Sequence, residues 1–285
     1  MSVRRSLVAA ALVVGVAAVA LPARGSSTRR YGRGRLTTAS LHSGALGGRE
    51  RVIVYTPPGY ASSPTRRYPV VILLHGVPGR PEEFVDHGVV ARLDRLISSG
   101  AIPPVIAVLP AGSDHPEDDN EWADSEVNGR ERWETFLAGD LVRWLDRGYR
   151  TTGRRAIGGA SMGGFGAMNV ALHHRGEFAA VSSWSGYFNA NTPSVHHPGS
   201  PAWRAYSPQL YAASLTPSLR SQHPRISFYI GSRDQFAGEN VAFDRLLTRL
   251  HVPHRFTLVR GAGHGWSLWS AHAEGELRFL AGGLG

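Results

Sequence analysis

The sequence predicts a protein of the α/β class, with helices on both faces of a mostly parallel central sheet. Short apolar runs alternate along the chain with stretches of helical spacing, as they do in strand–helix–strand crossover units. Two of these runs, residues 69–74 and 105–109, are apolar throughout, which fits strands buried on both faces. A glycine-rich turn at 158–164 then separates a third run from the helical pattern that follows it.

Each predicted strand is a short apolar or β-branched run bounded by turn-forming residues. The first strand, at residues 51–55, ends at the Pro-Pro-Gly sequence of 57–59. The remaining strands are predicted at residues 69–74, 105–109, 155–158, 179–185, 226–230 and 255–259.

Helices are predicted where apolar residues recur every three or four positions. In residues 133–147, for example, the large apolar side chains between Phe136 and Leu145 share one side. The other helices are predicted at 84–97, 164–174, 241–250 and 274–280. Residues 189–223 are rich in Pro, Ser, Tyr and Trp, and we interpret them as an insertion or cap loop within one domain.

Composition limits the possible classes of protein. A chain of 285 residues with 42% hydrophobic content can bury the core of one large domain. The absence of cysteine excludes disulfides and thiolate metal sites. No spacing of metal ligands stands out, and the adjacent pair His173-His174 is not expected to face one ligand together, so neither a metal nor another cofactor is expected.

The formal net charge of +9 is unevenly distributed, and all 31 cationic residues are arginines. Seven of these arginines fall within residues 1–35, which contain no acid. The basic character therefore belongs mainly to the N-terminal segment, and a nucleic-acid partner is not expected.

The N-terminus has the layout of a secretory signal peptide. Arg4 and Arg5 precede an apolar run at 7–21, and small residues follow. The run is shorter than the roughly 20 residues that span a membrane, although an uncleaved anchor remains the alternative. We therefore expect a signal peptide at 1–25, a basic disordered linker at 26–35 and one catalytic domain at 36–285. We therefore expect a secreted protein, which has no stable membrane partner unless the N-terminal segment is uncleaved.

The pattern Gly-Ala-Ser-Met-Gly at 159–163 is the most informative motif. It is typical of a nucleophilic serine on a tight strand-to-helix turn, where glycines permit close approach of neighbouring backbone. The predicted nucleophile is Ser161.

A serine hydroxyl needs a base, usually a histidine that a carboxylate orients. Asp234 follows the strand at 226–230, and His264 follows the strand at 255–259, in the order Ser, acid, His. Asp244 and His272 are the rival acid and base, but both fall inside helical patterns. We therefore expect Ser161, Asp234 and His264 to form a catalytic triad.

The oxyanion of the tetrahedral intermediate requires two donors. Met162 follows the nucleophile and is expected to supply one backbone N–H. Val77, in the loop after the strand at 69–74, is expected to supply the other, because Pro78 has no N–H. His75 either orients this loop or is a buried structural histidine.

With these residues identified, the chain resembles the esterase D-type family of α/β-hydrolases over nearly all of its length from residue 36. That family includes S-formylglutathione hydrolases, feruloyl and acetyl-xylan esterases and secreted mycolyltransferases. The resemblance rests on Val-Tyr-Thr-Pro-Pro-Gly-Tyr at 54–60, Leu-Leu-His-Gly at 73–76, Trp-Glu-Thr-Phe-Leu at 133–137, Gly-Ala-Ser-Met-Gly-Gly at 159–164 and Gly-His at 263–264. It implies an α/β-hydrolase fold and the same triad and oxyanion residues.

The chain also departs from some branches of that family. The mycolyltransferases carry Asp-Gly where this chain has His75 and Gly76, and a glutamate where it has Asp234. Many formylglutathione hydrolases are cytosolic and carry a cysteine near the active site, which this chain lacks. We therefore expect a secreted serine carboxylesterase.

Two other functions remain as alternatives. The chain could be an acyltransferase that passes the acyl group to a sugar or lipid alcohol, or a non-catalytic wall-binding protein. The expected substrate is a small-molecule, glycan or lipid ester. An acidic loop at 114–122 should lie over the site, and His75, Trp122 and Trp266 are candidates to line the substrate pocket.

Overall fold

The computed structural model describes residues 27–113, 115–221 and 224–285. The predicted signal peptide at 1–25, residue 26 and Asp114 of the acidic loop lie outside the described residues. The strands are β1 Ser27–Tyr31, β2 Gly34–Ser43, β3 Gly48–Thr56, β4 Tyr68–Leu74, β5 Ile106–Pro110, β6 Thr151–Ala160, β7 Ala180–Trp184, β8 Arg225–Gly231 and β9 His254–Val259.

Helices connect and cover these strands. They are α1 Glu83–Asp86, α2 Val89–Ser98, α3 Trp133–Thr135, α4 Val142–Gly148, α5 Met162–His173, α6 Pro201–Ala205, α7 Pro208–Tyr211, α8 Thr216–Ser221, α9 Ala237–Arg249 and α10 Trp266–Gly282. A π-helical segment, Phe136–Leu141, joins α3 to α4, and a 3-10 turn, Ala212–Leu215, joins α7 to α8.

The strands form one sheet in the order β1-β2-β3-β5-β4-β6-β7-β8-β9. The pairs from β5 through β9 are parallel, whereas β1, β2 and β3 are antiparallel to their neighbours. The carboxyl ends of β4, β6, β8 and β9 therefore lie along one edge of the sheet. Loops that leave these ends can bring distant residues together.

Alternating side chains of the central strands supply two hydrophobic cores, one on each face of the sheet. Val70, Ile72 and Leu74 of β4 pack with α4, α5 and α9 on one face. Val71 and Leu73 pack with α1, α2 and α10 on the other. This arrangement is the predicted α/β class with helices on both faces.

The prediction of a disordered linker is wrong for residues 27–35. They are not disordered but form β1, a turn and the start of β2, and Ser27–Tyr31 pairs antiparallel with Gly34–Ser43. The turn is fixed from the other side by Asp94 of α2, whose carboxylate accepts the N–H groups of Arg33 and Gly34. A run of arginines looks disordered in composition, but its backbone hydrogen bonds are satisfied by the neighbouring strand β2 and by the distant helix α2.

Several element boundaries also differ from the prediction. The helix expected at 84–97 is divided into α1 and α2 at Gly88, which has a φ of 74°. The last helix begins at Trp266 and not at residue 274. The expected cap loop at 189–223 contains the short helices α6 to α8, so this segment is folded over the domain. In the described part of the chain, every helix is too short or too polar to cross a bilayer.

Candidate active site

Ser161 lies on a sharp turn between β6 and α5. Its backbone has φ 55° and ψ −121°, a conformation that non-glycine residues rarely adopt. The Ser161 N–H donates to the carbonyl oxygen of Trp184 at 2.8 Å, which fixes the turn to the next strand. The turn presses against β4, because a Cβ on Gly163 would overlap the carbonyl oxygen of Leu74. Glycine at 163 is therefore a steric requirement of the turn.

His264 reaches Ser161 from the loop between β9 and α10. Its Nε2 atom lies 2.9 Å from the Oγ of Ser161, and its Nδ1 atom lies 2.7 Å from Oδ2 of Asp234. A carboxylate only accepts, so Nδ1–H donates to Asp234 and Nε2 is left as the acceptor for the Ser161 hydroxyl. The three residues predicted from sequence order are thus joined in one hydrogen-bonded chain.

The acid and the base of this hydrogen-bonded triad differ in their exposure to solvent. The Asp234 side chain is 0% exposed, and its second oxygen accepts the N–H of Phe236 at 3.0 Å. The His264 side chain remains 28% exposed. The acid is therefore shielded from solvent, while the base keeps an exposed face, and Ser161 itself is buried apart from 7% of its surface.

The loop after β4 lies directly against Ser161. A Cβ on Gly76 would sit 2.9 Å from the Cβ of Ser161. Among the described residues, none accepts a hydrogen bond from the Val77 N–H. Met162 occupies the first position of α5, where the helix offers its N–H no acceptor. Both N–H groups are therefore available near the serine, as predicted for oxyanion donors.

His75 and Trp122 do not line an open pocket, which corrects the expectation from the sequence. Trp122 is 1% exposed, and its Nε1–H donates to the carbonyl oxygen of His75 at 3.1 Å. His75 is buried, with Nε2 2.6 Å from the carbonyl oxygen of Ala111. The two rings brace the loop from beneath, so His75 takes the orienting position that the sequence left open.

Trp266 lies at the rim of the site in an aromatic group. Its ring stacks on His87 at a centroid distance of 4.3 Å and meets Phe84 and Trp269 edge-on. Trp269 in turn lies 5.2 Å from the ring of His264. Trp266 is only half-buried, so it remains a candidate for the substrate pocket.

A second aromatic group also contacts His264, through Phe236. Phe236 lies 5.9 Å from the His264 ring and 4.9 Å from Tyr187, which stacks on Phe165 at 4.5 Å. Two aromatic groups thus contact the candidate catalytic histidine. Their partly buried members, Phe236 and Trp266, can contact an acyl chain or an aromatic acid.

The rival acid and base have other partners. Asp244 accepts a hydrogen bond from Nε2 of His254 at 3.0 Å, and His272 stacks on Tyr229. Neither appears in the hydrogen-bonded chain that contains Ser161.

A buried carboxyl group beside the site was missed by sequence reasoning. Glu121 is fully buried, and its Oε1 accepts the N–H of Asn191 at 2.8 Å and the O–H of Tyr187 at 3.4 Å. Burial, together with the nearby charge of Asp119, raises the pKa of Glu121 to about 7. The sequence indicated an acidic loop over the site, but only packing against α5 shows which acid is buried.

A second unexpected contact joins the adjacent histidines 173 and 174. Nδ1 of His173 and Nε2 of His174 both bond the carboxylate of buried Glu134, at 3.0 and 2.8 Å. The expectation that these neighbours would not face one group is therefore wrong. In the described ranges, no cluster of three or more His, Asp or Glu side chains has an arrangement that would hold a metal ion.

The sequence matches a known family over most of its length. The family described as "Putative esterase" matches residues 43–280. An esterase of Mycobacterium tuberculosis strain H37Rv is 35% identical over 158 residues, which cover 53% of this chain and 32% of that protein. The diacylglycerol acyltransferase/mycolyltransferase Ag85B of Mycobacterium leprae is 25% identical over 177 residues, which cover 49% of this chain and 53% of that protein. The chain thus spans about a third to a half of the length of these relatives.

Solved structures show the same fold. A ferulic acid esterase superposes with a TM-score of 0.77 at 25% identity, covering 88% of this chain and 99% of that one. An S-formylglutathione hydrolase from Agrobacterium tumefaciens superposes with a TM-score of 0.75 at 20% identity, covering 91% and 99%. These likenesses confirm the α/β-hydrolase fold predicted from the sequence.

Proposed function

This chain belongs to the esterase family that matches residues 43–280, and on that premise we propose that it is an exported serine carboxylic-ester hydrolase. Ser161 is the nucleophile, His264 the general base and acid, and Asp234 the residue that orients His264. The observation that carries the proposal is the hydrogen-bonded chain from Ser161 Oγ through His264 to Asp234. Binding alone has no need of a base held 2.9 Å from a serine hydroxyl, so a purely wall-binding role is disfavoured.

The reaction proceeds in two halves. Nε2 of His264 takes the proton as Oγ of Ser161 attacks the ester carbonyl carbon. The N–H groups of Met162 and Val77 stabilise the oxyanion, and His264 then returns the proton to the leaving alcohol. Water repeats the sequence on the acyl-enzyme and releases the acid. Asp234 stays ionised throughout and stabilises the imidazolium that forms twice.

Acyl transfer is the second candidate. The acyl-enzyme is the same, and the acceptor is a sugar or lipid alcohol instead of water. The similarity to a protein named as an acyltransferase supports it, as do the two aromatic groups that contact His264. The two functions differ in how well an alcohol outcompetes water at the acyl-enzyme.

The proposal that the protein is exported rests on the sequence of the N-terminal segment alone. The arginine pair at positions 4 and 5, the apolar run at 7–21 and the small residues after it support a cleaved signal peptide. N-terminal sequencing of the protein recovered from the culture medium tests this proposal. A mature N-terminus near residue 26 is expected, and an uncleaved chain retained with the cells would contradict it.

A panel of esters, each with and without acceptor alcohols, tests the catalytic proposal. The wild type should release acid from short acyl esters, and the rate should fall on acidification because a protonated His264 cannot accept the Ser161 proton. Ser161→Ala should abolish release, whereas Ser267→Ala, an exposed serine at the start of α10, should not. Transfer of the acyl group mainly to the alcohol, and not to water, would favour the acyltransferase function. Equal rates for wild type and Ser161→Ala would contradict both.

A further inference from the structure

A basic cavity lies at the turn end of the β1–β2 hairpin, apart from the esterase site. It has a volume of about 540 Å³ and is lined by Arg29, Arg30, Arg33 and Arg35 on one side. The loop after β3, residues 57–62, lines the other side. Nothing in the proposed ester chemistry uses these residues.

The cavity is at the opposite edge of the sheet from Ser161. Arg35 pairs with Thr56 at the end of β3, and β3 runs antiparallel to β5. The end of β3 therefore points away from the edge where β4, β6, β8 and β9 deliver the oxyanion loop and the triad. A ligand bound here would leave the cleft around Ser161 open.

The hairpin concentrates positive charge that the rest of the fold does not neutralise. Arg30 and Arg35 are direct cross-strand partners, so their side chains share one face of the sheet. Like charges placed directly opposite destabilise a strand pair. No acidic side chain lines the cavity among the residues that the structure describes.

The carboxylate of Asp94, which contacts the turn of the hairpin, is occupied by neutral donors. Asp94 accepts the N–H groups of Arg33 and Gly34 and, at 2.8 Å, the O–H of Tyr55. Within the described ranges, the ion pairs of the fold involve other arginines, and none involves Arg29, Arg30, Arg33 or Arg35. The permanently charged Arg30 and Arg35 therefore lie on one face beside this concave space, and neither has an ion-pair partner among the described residues.

We propose that this arginine cavity is a binding site for a phosphate-bearing anion. The planar guanidinium donates paired N–H groups that match the oxygens of phosphate, and a phosphate carries enough acceptor oxygens for more than one such fork. Binding would relieve the repulsion between Arg30 and Arg35. A free polyphosphate or the headgroup of an anionic lipid could supply the same chemistry.

Calorimetric titration with inorganic triphosphate tests the site directly. The test variant is Arg30→Ala/Arg35→Ala, and the matched control is Arg245→Ala/Arg249→Ala, which removes two exposed arginines of α9 with the same change in net charge. Loss of two charge-assisted contacts should weaken binding at least about tenfold in the test variant. The control should retain wild-type affinity, and triphosphate should raise the unfolding temperature of the wild type and the control only.

Sedimentation with vesicles distinguishes the two sources of phosphate. If the ligand is a lipid headgroup, the wild type should sediment more with vesicles of phosphatidylcholine and phosphatidylglycerol than with phosphatidylcholine alone, and the test variant should lose that difference. Binding of triphosphate without this preference would assign a soluble phosphate.

Two results would overturn the proposal. One is absence of binding to both triphosphate and anionic vesicles at low salt. The other is equal weakening in the test and control variants, which would mean that total charge alone attracts anions. In either case the four arginines would serve only to keep the exposed edge of the sheet from pairing. All variants should keep esterase activity, so failure here is separable from failure of the proposed function.

Discussion

The Nε2 atom of His264 lies 2.9 Å from the Oγ atom of Ser161, although 103 residues separate them in the sequence. The contact is made possible by parallel strands, whose carboxyl ends bring Ser161 and His264 to one edge of the sheet. The other partner of His264 is Asp234, which follows β8, the neighbour of β9 in the sheet, and its side chain is buried.

Asp234→Asn should abolish most of the activity while leaving the fold intact. An asparagine amide would donate toward Nδ1 of His264 and favour the tautomer with its proton on Nε2, which cannot accept the Ser161 proton. The expected loss in kcat is on the order of 10⁴-fold with little change in KM. Steady-state ester hydrolysis measures it. Asp244→Asn is the control, and a larger loss in that variant would reassign the acid.

Gly163→Ala should destabilise the protein. The added Cβ would overlap the carbonyl oxygen of Leu74 in the backbone of β4, which cannot move without shifting the oxyanion loop. We expect a loss of about 1–3 kcal/mol in the free energy of unfolding, together with reduced activity. Urea unfolding followed by circular dichroism measures the first effect.

Gly275→Ala is the matched control for that variant. Gly275 lies in α10, and a Cβ there would meet nothing within 4 Å. Alanine should therefore be neutral or stabilising by up to about 1 kcal/mol. If the two alanine variants had equal stability, close approach at Gly163 would not be what requires glycine.

Glu121→Gln should remove a pH dependence of stability. Burial raises the pKa of Glu121 to about 7 from 4.5, so the folded state retains a proton that the unfolded state loses. Stability therefore falls as the pH rises from about 4.5 to about 7, by roughly 3 kcal/mol in all. Glutamine keeps an oxygen to accept the Asn191 N–H without the charge. The variant should gain stability relative to wild type above pH 7.

Unfolding by urea across that pH range measures the difference. Glu117→Gln, an exposed residue of the same loop, is the control and should follow the wild type. A Glu121→Gln variant whose stability falls with pH as steeply as that of the wild type would show that Glu121 titrates normally.

Glu134→Gln should lower the stability of the protein in mild acid. Burial alone would raise the pKa of Glu134, but the hydrogen bonds from His173 and His174 outweigh it and lower the pKa to about 2. The stabilisation is present above the unfolded pKa of 4.5 and is lost as the pH falls through about 2. At pH 5 the variant should be less stable by about 3 kcal/mol, and the difference should shrink toward pH 2.

Thermal and urea unfolding between pH 2 and pH 6 would check this. Glu274→Gln is the control, because its ion pair with Arg278 is exposed and should contribute under about 1 kcal/mol. A difference between Glu134→Gln and wild type that does not depend on pH would point to packing, not charge.

The glycine turn around Ser161 and the placement of Asp234 and His264 after strands are local sequence patterns. They predicted which side chains meet, and the three side chains do form one hydrogen-bonded chain. Contacts that depend on long-range packing could not be predicted in this way. The arginine-rich residues 27–31 pair with the next strand, β2, across a turn that Asp94 of α2 holds, and Trp122 lies under His75 because α5 and the loop after β4 close over it. Neither contact leaves a periodic signal.

Labelling with a fluorophosphonate tests the central claim, that Ser161 is the nucleophile, most directly. Intact mass and peptide mapping should show one adduct per folded chain, on the peptide that contains Ser161. Labelling should disappear in Ser161→Ala and persist in Ser267→Ala. Folded wild-type protein that takes up no label, or an adduct on a different serine, would contradict the account.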